Sequence, residues 1–283
     1  MDLSDLRIFI AVVEQGGVTR AAERLNRVQS NITTRIRQLE HDLDVTLFFR
    51  EGRRMVLTPT GRILLDYSRQ LLALAEKAQV AVKDSEPGGL FRLGAMESTA
   101  AIRLPPLLVA MSKRFPAVEL ELRTGNPVQL ASAVLHGEID AALFAEPVDD
   151  ARLNQLPAFV EDVVIITGPD GPAIAEDQPL PANVIVFEHG CPHRRLLESC
   201  YQRRGQTPLR TIELRSYHAM IGCVHAGMGA ALLPQSVLKS FPDADKLNAY
   251  PIPGGDRQLT TLFVWRKELA SPNVLAFANL LET

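Results

Sequence analysis

Residues 19–61, TRAAERLNRVQSNITTRIRQLEHDLDVTLFFREGRRMVLTPTG, decide how the rest of the chain is read. Thr19 to Leu25 reads as a first helix, Asn26-Arg27-Val28 as a tight turn, and about Gln29 to Leu39 as a second helix. Ile32, Ile36 and Leu39 recur at i, i+4 and i+7 and make one buried stripe. Ser30, Thr33, Thr34 and Arg37 repeat that spacing on the opposite side. Their hydroxyl and guanidinium groups are of the kinds that hydrogen-bond base edges and phosphates. Ala21 and Ala22 let the first helix lie close against the second, as a helix-turn-helix requires.

The residues after the second helix extend the pattern. Leu43, Val45, Leu47, Phe48 and Phe49 form a compact apolar segment, and Arg50-Glu51-Gly52-Arg53-Arg54 a basic loop with a glycine turn. Met55-Val56-Leu57 is a brief strand. Thr58 suits the N-cap and Pro59 the first position of another helix. A basic loop between short strands, beside a helix-turn-helix, describes a wing on the DNA backbone. Between residues 18 and 62 nine arginines stand against five acids, an excess of four in a chain of net charge −3. That local concentration is the electrostatic footprint of phosphate binding. Two blander readings fit the same residues: a solvated helix face, or a helix-turn-helix that makes protein contacts only.

The remaining composition narrows the class. With 46% hydrophobic residues the 283-residue chain can bury real cores, on length alone roughly two. No stretch approaches the ~18 apolar residues of a membrane span. Asp2 and Asp5 near the start, with Leu3, Leu6, Ile10 and Val13 at helical spacing, are unlike a signal peptide. Three cysteines, an odd number, point to a reducing compartment and so to the cytoplasm. A glycine-rich phosphate loop, a Gly-x-Ser-x-Gly elbow and a metalloprotease helix are all missing from the sequence, so no enzyme and no cofactor is expected. Cys191, His189 and His193 lack a fourth ligand, so no metal is expected either.

Residues 59–84 carry Leu64, Leu65, Leu71, Leu72, Leu74, Ala75 and Ala78 on a long helix, about 39 Å if all 26 residues are helical. Such a face wants a partner helix, which suggests a dimerisation arm. Ser85-Glu86-Pro87-Gly88-Gly89 breaks it. From Leu90 strands and helices alternate, indicating a parallel α/β sheet. Strands are expected at 91–95, 118–123, 139–144, 163–167, 184–187, 212–214, 230–233 and 260–265. Helices are expected at 105–115, 130–136, 192–204, 217–226 and 272–281. Two Rossmann-like units joined by crossings near 145–162 and 254–262 resemble a periplasmic binding protein. The expected organisation is therefore α/β with an N-terminal all-α winged helix-turn-helix at 1–58 and a linker helix at 59–86. An effector-type domain occupies 90–283, its halves at about 90–160 plus 260–283 and 161–259.

Ligands of open α/β sheets lie outside the carboxyl ends of the strands. That rule selects Glu97, Ser98 and Thr99 after the first strand, where free amides and hydroxyls favour an anion. It also selects Gly125 and Asn126 after the second strand, Phe144 and Glu146 at the third, then His189 and Cys191, and His218. Turns attract such residues in any case, so the set is worth more than its members. Glu97 and Glu146 leave room for an amine-bearing ligand.

The run from Ala21 to Gly61 closely resembles the N-terminal domain of LysR-type transcriptional regulators, at Ala21, Ala22, Leu25, Gln29, Ser30, Ile32, Thr33, Ile36, Leu39, Glu40, Leu43, Leu47, Phe48, Arg50, Leu57, Thr58 and Gly61. The resemblance extends over essentially the whole chain. It implies a sequence-specific regulator with Thr19, Arg20, Gln29, Ser30, Asn31, Thr33, Thr34, Arg37, Arg50, Arg53 and Arg54 on DNA. It also implies a co-inducer in the inter-subdomain cleft. The expected partners are double-stranded promoter DNA, a small organic acid or amine-bearing metabolite, RNA polymerase, and further copies in a homodimer or homotetramer, with no membrane. Gly227 and Gly229 match the family's glycine-rich turn near the cleft. Val28 departs from the Ser or Thr usual at the recognition-helix cap, and Thr34 from a common Arg whose contacts Arg35 or Arg37 would assume. Cys191 and Cys200 are spaced like the disulfide pair of peroxide-sensing relatives. A thiol at a helix N-terminus beside Arg194 and Arg195 would be acidified. Cys200, beside Leu196 and Leu197, reads better as a core thiol.

Overall fold

Helix α1 (Leu3–Gln15) is closed at both ends by its own sequence. Asp2 and Asp5 form a reciprocal capping box, and Gly16 leaves the helix at φ 64°. The computed structural model describes residues 1–51, 54–81, 86–145, 148–176, 178–254 and 257–282; at 50, 51, 54, 76, 77 and 79–81 it describes the backbone only. The chain divides into two units, one built on residues 1–85 and one from residue 86 onward.

In the N-terminal unit α2 (Val18–Arg24) and α3 (Gln29–Leu43) meet across a turn in which Asn26 adopts φ 50°. The second helix runs four residues past Leu39 and stops where Asp44 turns left-handed at φ 51°. Phe9, Val12, Ala21, Ala22, Ile32, Ile36 and Leu39 are buried together under Leu47 and Phe48. Each large apolar side chain so buried contributes about 1.5–3 kcal/mol. Glu40 Oε1 accepts the amides of Leu47 (2.8 Å) and Phe48 (3.3 Å), fixing where the chain leaves α3. Strands β1 (Phe48–Glu51) and β2 (Arg54–Leu57) then pair antiparallel. The Thr58 hydroxyl accepts the Gly61 amide at 2.9 Å and starts α4 (Pro59–Ala81). Leu64 and Leu65 pack into this unit's own core. Ile63, Tyr67, Leu71 and Leu74, spaced four, four and three, are exposed along one side.

The second unit begins with β3 (Gly89–Ala95), α5 (Glu97–Ile102), α6 (Leu104–Arg114), β4 (Val118–Thr124), α7 (Pro127–Leu135) and β5 (Ala141–Ala145). Here the expected parallel sheet is present, with β3 between β4 and β5. The chain continues through β6 (Leu153–Thr167), β7 (Asn183–Val186), α8 (Pro192–Arg203), β8 (Arg210–Glu213), α9 (Tyr217–His225), β9 (Ala231–Pro234) and α10 (Gln235–Lys239). It closes with β10 (Asn248–Pro251), β11 (Gln258–Arg266) and α11 (Pro272–Leu281). Strands β7 and β8 pair in parallel.

The sheet is mixed rather than parallel throughout. The two regions expected to be connecting crossings are themselves strands, paired antiparallel as β6 and β11. Pro157 stands inside the first of them, and proline is tolerated inside sheets mainly at edges and bulges. It lies at a bulge: the register with β11 shifts between Thr261 and Leu262, and Leu262 faces Pro157. Beyond that ladder Val163–Thr167 continue β6 against β9 and β10. Phe91, Leu93, Leu143, Phe263 and Phe277 form one core and Val163, Ile165, Leu197, Tyr201 and Leu232 another. Among the described residues no helix is long and apolar enough to cross a membrane.

Gly61 is required by close approach. A Cβ there would stand 2.3 Å from the Leu47 carbonyl oxygen and 2.9 Å from Leu57 Cδ2. Gly61→Ala should destabilise the N-terminal unit by about 1–3 kcal/mol, the usual range for overpacking. An unchanged urea midpoint for the full chain would mean that β1 and β2 shift freely to admit the methyl group.

Candidate functional site

The polar side of α3 is open to solvent. Gln29, Ser30, Asn31, Thr34 and Arg37 are exposed, as are Thr19 and Arg20 on α2. Thr33 differs from the expectation, because its hydroxyl donates to the Gln29 carbonyl of its own helix at 3.0 Å. Arg35 is also committed, reaching Asp5 at 3.1 Å and Asp2 at 3.9 Å, which leaves Arg37 as the exposed arginine of the two. Val28 is 70% exposed and provides no side-chain cap for α3. Arg50 and Arg54 lie on β1 and β2 with side chains outside the described set, and Arg53 lies outside the described residues altogether.

In the second unit, loops at the carboxyl ends of β3, β4, β7 and β8 surround a cavity of about 270 Å³. Glu97, Gly125, Asn126 and Gln129 line it from one half, and Glu188, Cys191, His193, Arg215 and Tyr217 from the other. Both halves are joined across it: Asn126 Nδ2 donates to the His189 carbonyl (3.3 Å), and the Glu97 carboxyl accepts the Tyr217 amide. Tyr217 is the buried centre of the wall. Its hydroxyl is hydrogen-bonded to His193 Nδ1 (2.9 Å) and to the Ser98 hydroxyl, and its ring lies 4.6 Å from Phe187. Burial pushes this phenol well above its usual range, so it stays protonated. It also holds His193 down at about 4, hence as the neutral ring.

The sequence-selected residues separate accordingly. Gly125, Asn126 and Cys191 line the cavity. Ser98 and Thr99 are buried outside its lining, the first turned to Tyr217, so the expected pair of hydroxyls for an anion is not presented there. Phe144 is fully buried in the core against α7, because β5 is covered on both faces. The His189 and His218 rings contact Arg194 (3.0 Å) and Phe241 (5.8 Å) respectively, away from the lining. Glu146 lies outside the described residues. Gly227 and Gly229 lie past the carboxyl end of α9, whereas the cavity meets that helix at its amino end. His193, Arg215 and Gln129 were not selected, because their place depends on pairing between elements far apart in sequence. Gln129 carried one local signal, the Asn-x-x-Gln spacing of a capping box.

The thiol reading changes as well. Burial raises the Cys191 thiol rather than lowering it, outweighing the amides of Arg194 and His193. Arg194 is held by Glu198 and Glu213, both at 2.7 Å, and donates to the Phe187 carbonyl, bracing the cavity wall. Cys200 sits in the core on the same helix that Cys191 caps, roughly 13 Å along it. No disulfide spans that distance without unwinding α8. Among the described residues no group of three or more His, Cys, Asp and Glu could hold a metal.

A depressed histidine makes stability pH-dependent. The folded form resists protonation that the unfolded chain accepts below pH 6.5, so stability is full above 6.5 and declines towards pH 4, by about 3 kcal/mol over that span. His193→Asn keeps an acceptor for Tyr217 and should flatten this decline in thermal melts. Parallel curves for both proteins would show that His193 is not the titrating group.

A family model for the LysR substrate binding domain matches residues 84–283, and one for the bacterial regulatory helix-turn-helix protein, lysR family, matches residues 3–62. The HTH-type transcriptional regulator GltR of Bacillus subtilis is 36% identical over 280 residues, covering 98% of this chain and 95% of that protein. YofA of the same organism is 35% identical, covering 95% and 93%. Among solved structures, full-length CbnR in complex with its target DNA aligns with a TM-score of 0.72 at 21% identity, covering 100% and 99%. A full-length OxyR variant from Pseudomonas aeruginosa aligns at 0.71, also at 21% identity, covering 100% and 94%. The chain belongs to the LysR family of bacterial helix-turn-helix transcriptional regulators, and is not an enzyme.

Proposed function

We propose that this regulator acts in the cytoplasm as a homodimer or homotetramer that grips promoter DNA with paired winged helices. Its response is set by a small metabolite, an organic acid or an amine, bound between the halves of the C-terminal unit. The observation that carries the DNA reading is the exposed polar side of α3, with Arg37 unencumbered by Asp5 and the arginines of the wing beside it in sequence. Gln29, Ser30, Asn31, Thr34 and Arg37 meet base edges in the major groove, and Arg20, Arg50, Arg53 and Arg54 hold phosphates. The apolar line Ile63, Tyr67, Leu71 and Leu74 pairs with the same helix of a second copy, matching a two-fold symmetric DNA site. Ligand binding that favours one arrangement of the halves shifts the population of DNA-bound forms, which alters DNA bending and the approach of RNA polymerase.

Titration of the protein against its own upstream DNA and a scrambled duplex, at several salt concentrations, tests the reading. Clear preference for the native fragment is expected, and equal weak binding to both would refute it. Arg37→Ala should cost about 1–3 kcal/mol on the native site and relax its sequence preference. Arg20→Ala should weaken all sequences alike and lower the salt slope by about one. A uniform loss for Arg37→Ala would remove it from base reading. Leu74→Glu should raise the dissociation constant of the oligomer in analytical ultracentrifugation, and an unchanged value would place the interface elsewhere.

A further inference from the structure

Part of the cavity's capacity for anions is taken up from within the protein. Four helices begin at its wall, and helix amino ends ordinarily attract carboxylates and phosphates. At two of them, α7 and α9, leading amides are engaged from within the protein. At α7 Asn126 Oδ1 accepts the Gln129 amide (3.0 Å) while Gln129 Oε1 accepts the Asn126 amide (3.1 Å). At α8 Pro192 has no amide to give, and Cys191 makes no side-chain cap. At α9 Ser216 takes the Ala219 amide and Glu97 takes that of Tyr217. Helix α5 is a six-residue turn that places Glu97 itself at its first position. Arg215, the one guanidinium in the lining, is paired with Glu188 at 2.9 Å.

What Glu97 lacks is a donor. Among the described residues, Glu97 Oε2 is the one buried polar side-chain atom of the lining left without a hydrogen-bond partner. The carboxyl is aimed by the Tyr217 amide and is half-buried, and burial raises its pKa despite the field of His218 on α9. Within the lining His193 is neutral and Glu188 holds Arg215, while His218 on α9 reaches Glu97 only through its field. A buried carboxylate is stabilised by an opposite charge that also hydrogen-bonds it.

We infer that the effector carries a protonated amine that pairs with the Glu97 carboxylate, on a body small enough for the 270 Å³ cavity. This assignment rests on the cleft being the effector site, and it selects the amine over the organic acid as the ligand class. The amine replaces the missing donor, and ligand and Glu97 together join the Tyr217 amide across the two halves. Binding therefore favours the arrangement in which that bridge is made.

The test uses the full-length protein with chain-length-matched probes: 1,4-diaminobutane, 4-aminobutyrate and succinate, then a wider series of small amines each matched to its carboxylate counterpart. Thermal shift and calorimetry are read on the unsubstituted protein, Glu97→Gln and Glu97→Asp, with ligand-free melts establishing that each variant is folded. Amine-bearing probes are expected to bind, to bind roughly thirtyfold or more weakly in Glu97→Gln, and to be intermediate in Glu97→Asp. Binding by the carboxylate series alone, equal in the unsubstituted protein and Glu97→Gln, would overturn the amine assignment and leave the cleft reading standing. Amine binding undiminished in both variants would place the ligand elsewhere and overturn both. Binding by neither series would overturn the assignment.

Discussion

Strands β6 and β11 pair antiparallel from Leu153 against Arg266 to Asp162 against Gln258, and the C-terminal unit depends on that ladder. Past it β6 runs on as Val163–Thr167 into the second half, between β9 and β10. One continuous strand thus belongs to two cores, and its hydrogen bonds oblige those cores to face one another at a set angle. Glu161, near the point of passage, is held by Arg103 Nε after α5 and by the Ser236 hydroxyl on α10. The carboxyl ends of β3, β4, β7 and β8 are left facing the same space, which is where an α/β architecture leaves unpaired backbone and room for a ligand.

The chemistry of that space is set by how completely its polar groups are satisfied. Ser98, Tyr217 and His193 form a buried hydrogen-bonded chain that works in one protonation pattern, with a protonated phenol and a neutral imidazole. Low dielectric strengthens such a chain and penalises any member left alone. Beside that chain Glu97 Oε2 is left without a partner, and it lies where the two halves touch. The same burial that orders the chain raises the Cys191 thiol and disfavours its thiolate.

In the N-terminal unit charge is divided between holding the fold and meeting DNA. Asp5 caps α1 and engages Arg35, and Glu40 gathers the amides that begin the wing. These acids sit where they organise backbone, and the exposed side of α3 is left to hydroxyls, amides and Arg37. Val28 gives the start of α3 no side-chain cap.

Local physics was readable from the chain alone: the 3.6-residue stripe of Ile32, Ile36 and Leu39, the Thr58–Pro59 helix start, and the positive charge gathered at residues 18–62. Such features are set by neighbours a few positions apart, so spacing and residue type suffice to find them. Gly125, Asn126 and Cys191 were legible as cavity residues because they come after strands that alternation could locate. The long β6 was not, since Pro157 looks like a breaker until Leu262 is set opposite it at a bulge. Nor could sequence order show that Arg35 would turn to Asp5, that Phe144 would sink into the core, or that Ser98 would face Tyr217 rather than a ligand. Each depends on partners tens of residues away, whose position is decided by burial and by hydrogen-bond satisfaction in the folded chain. The sequence determined which chemical groups stand at the ends of the strands, and only the tertiary structure decided which of them remain unpaired.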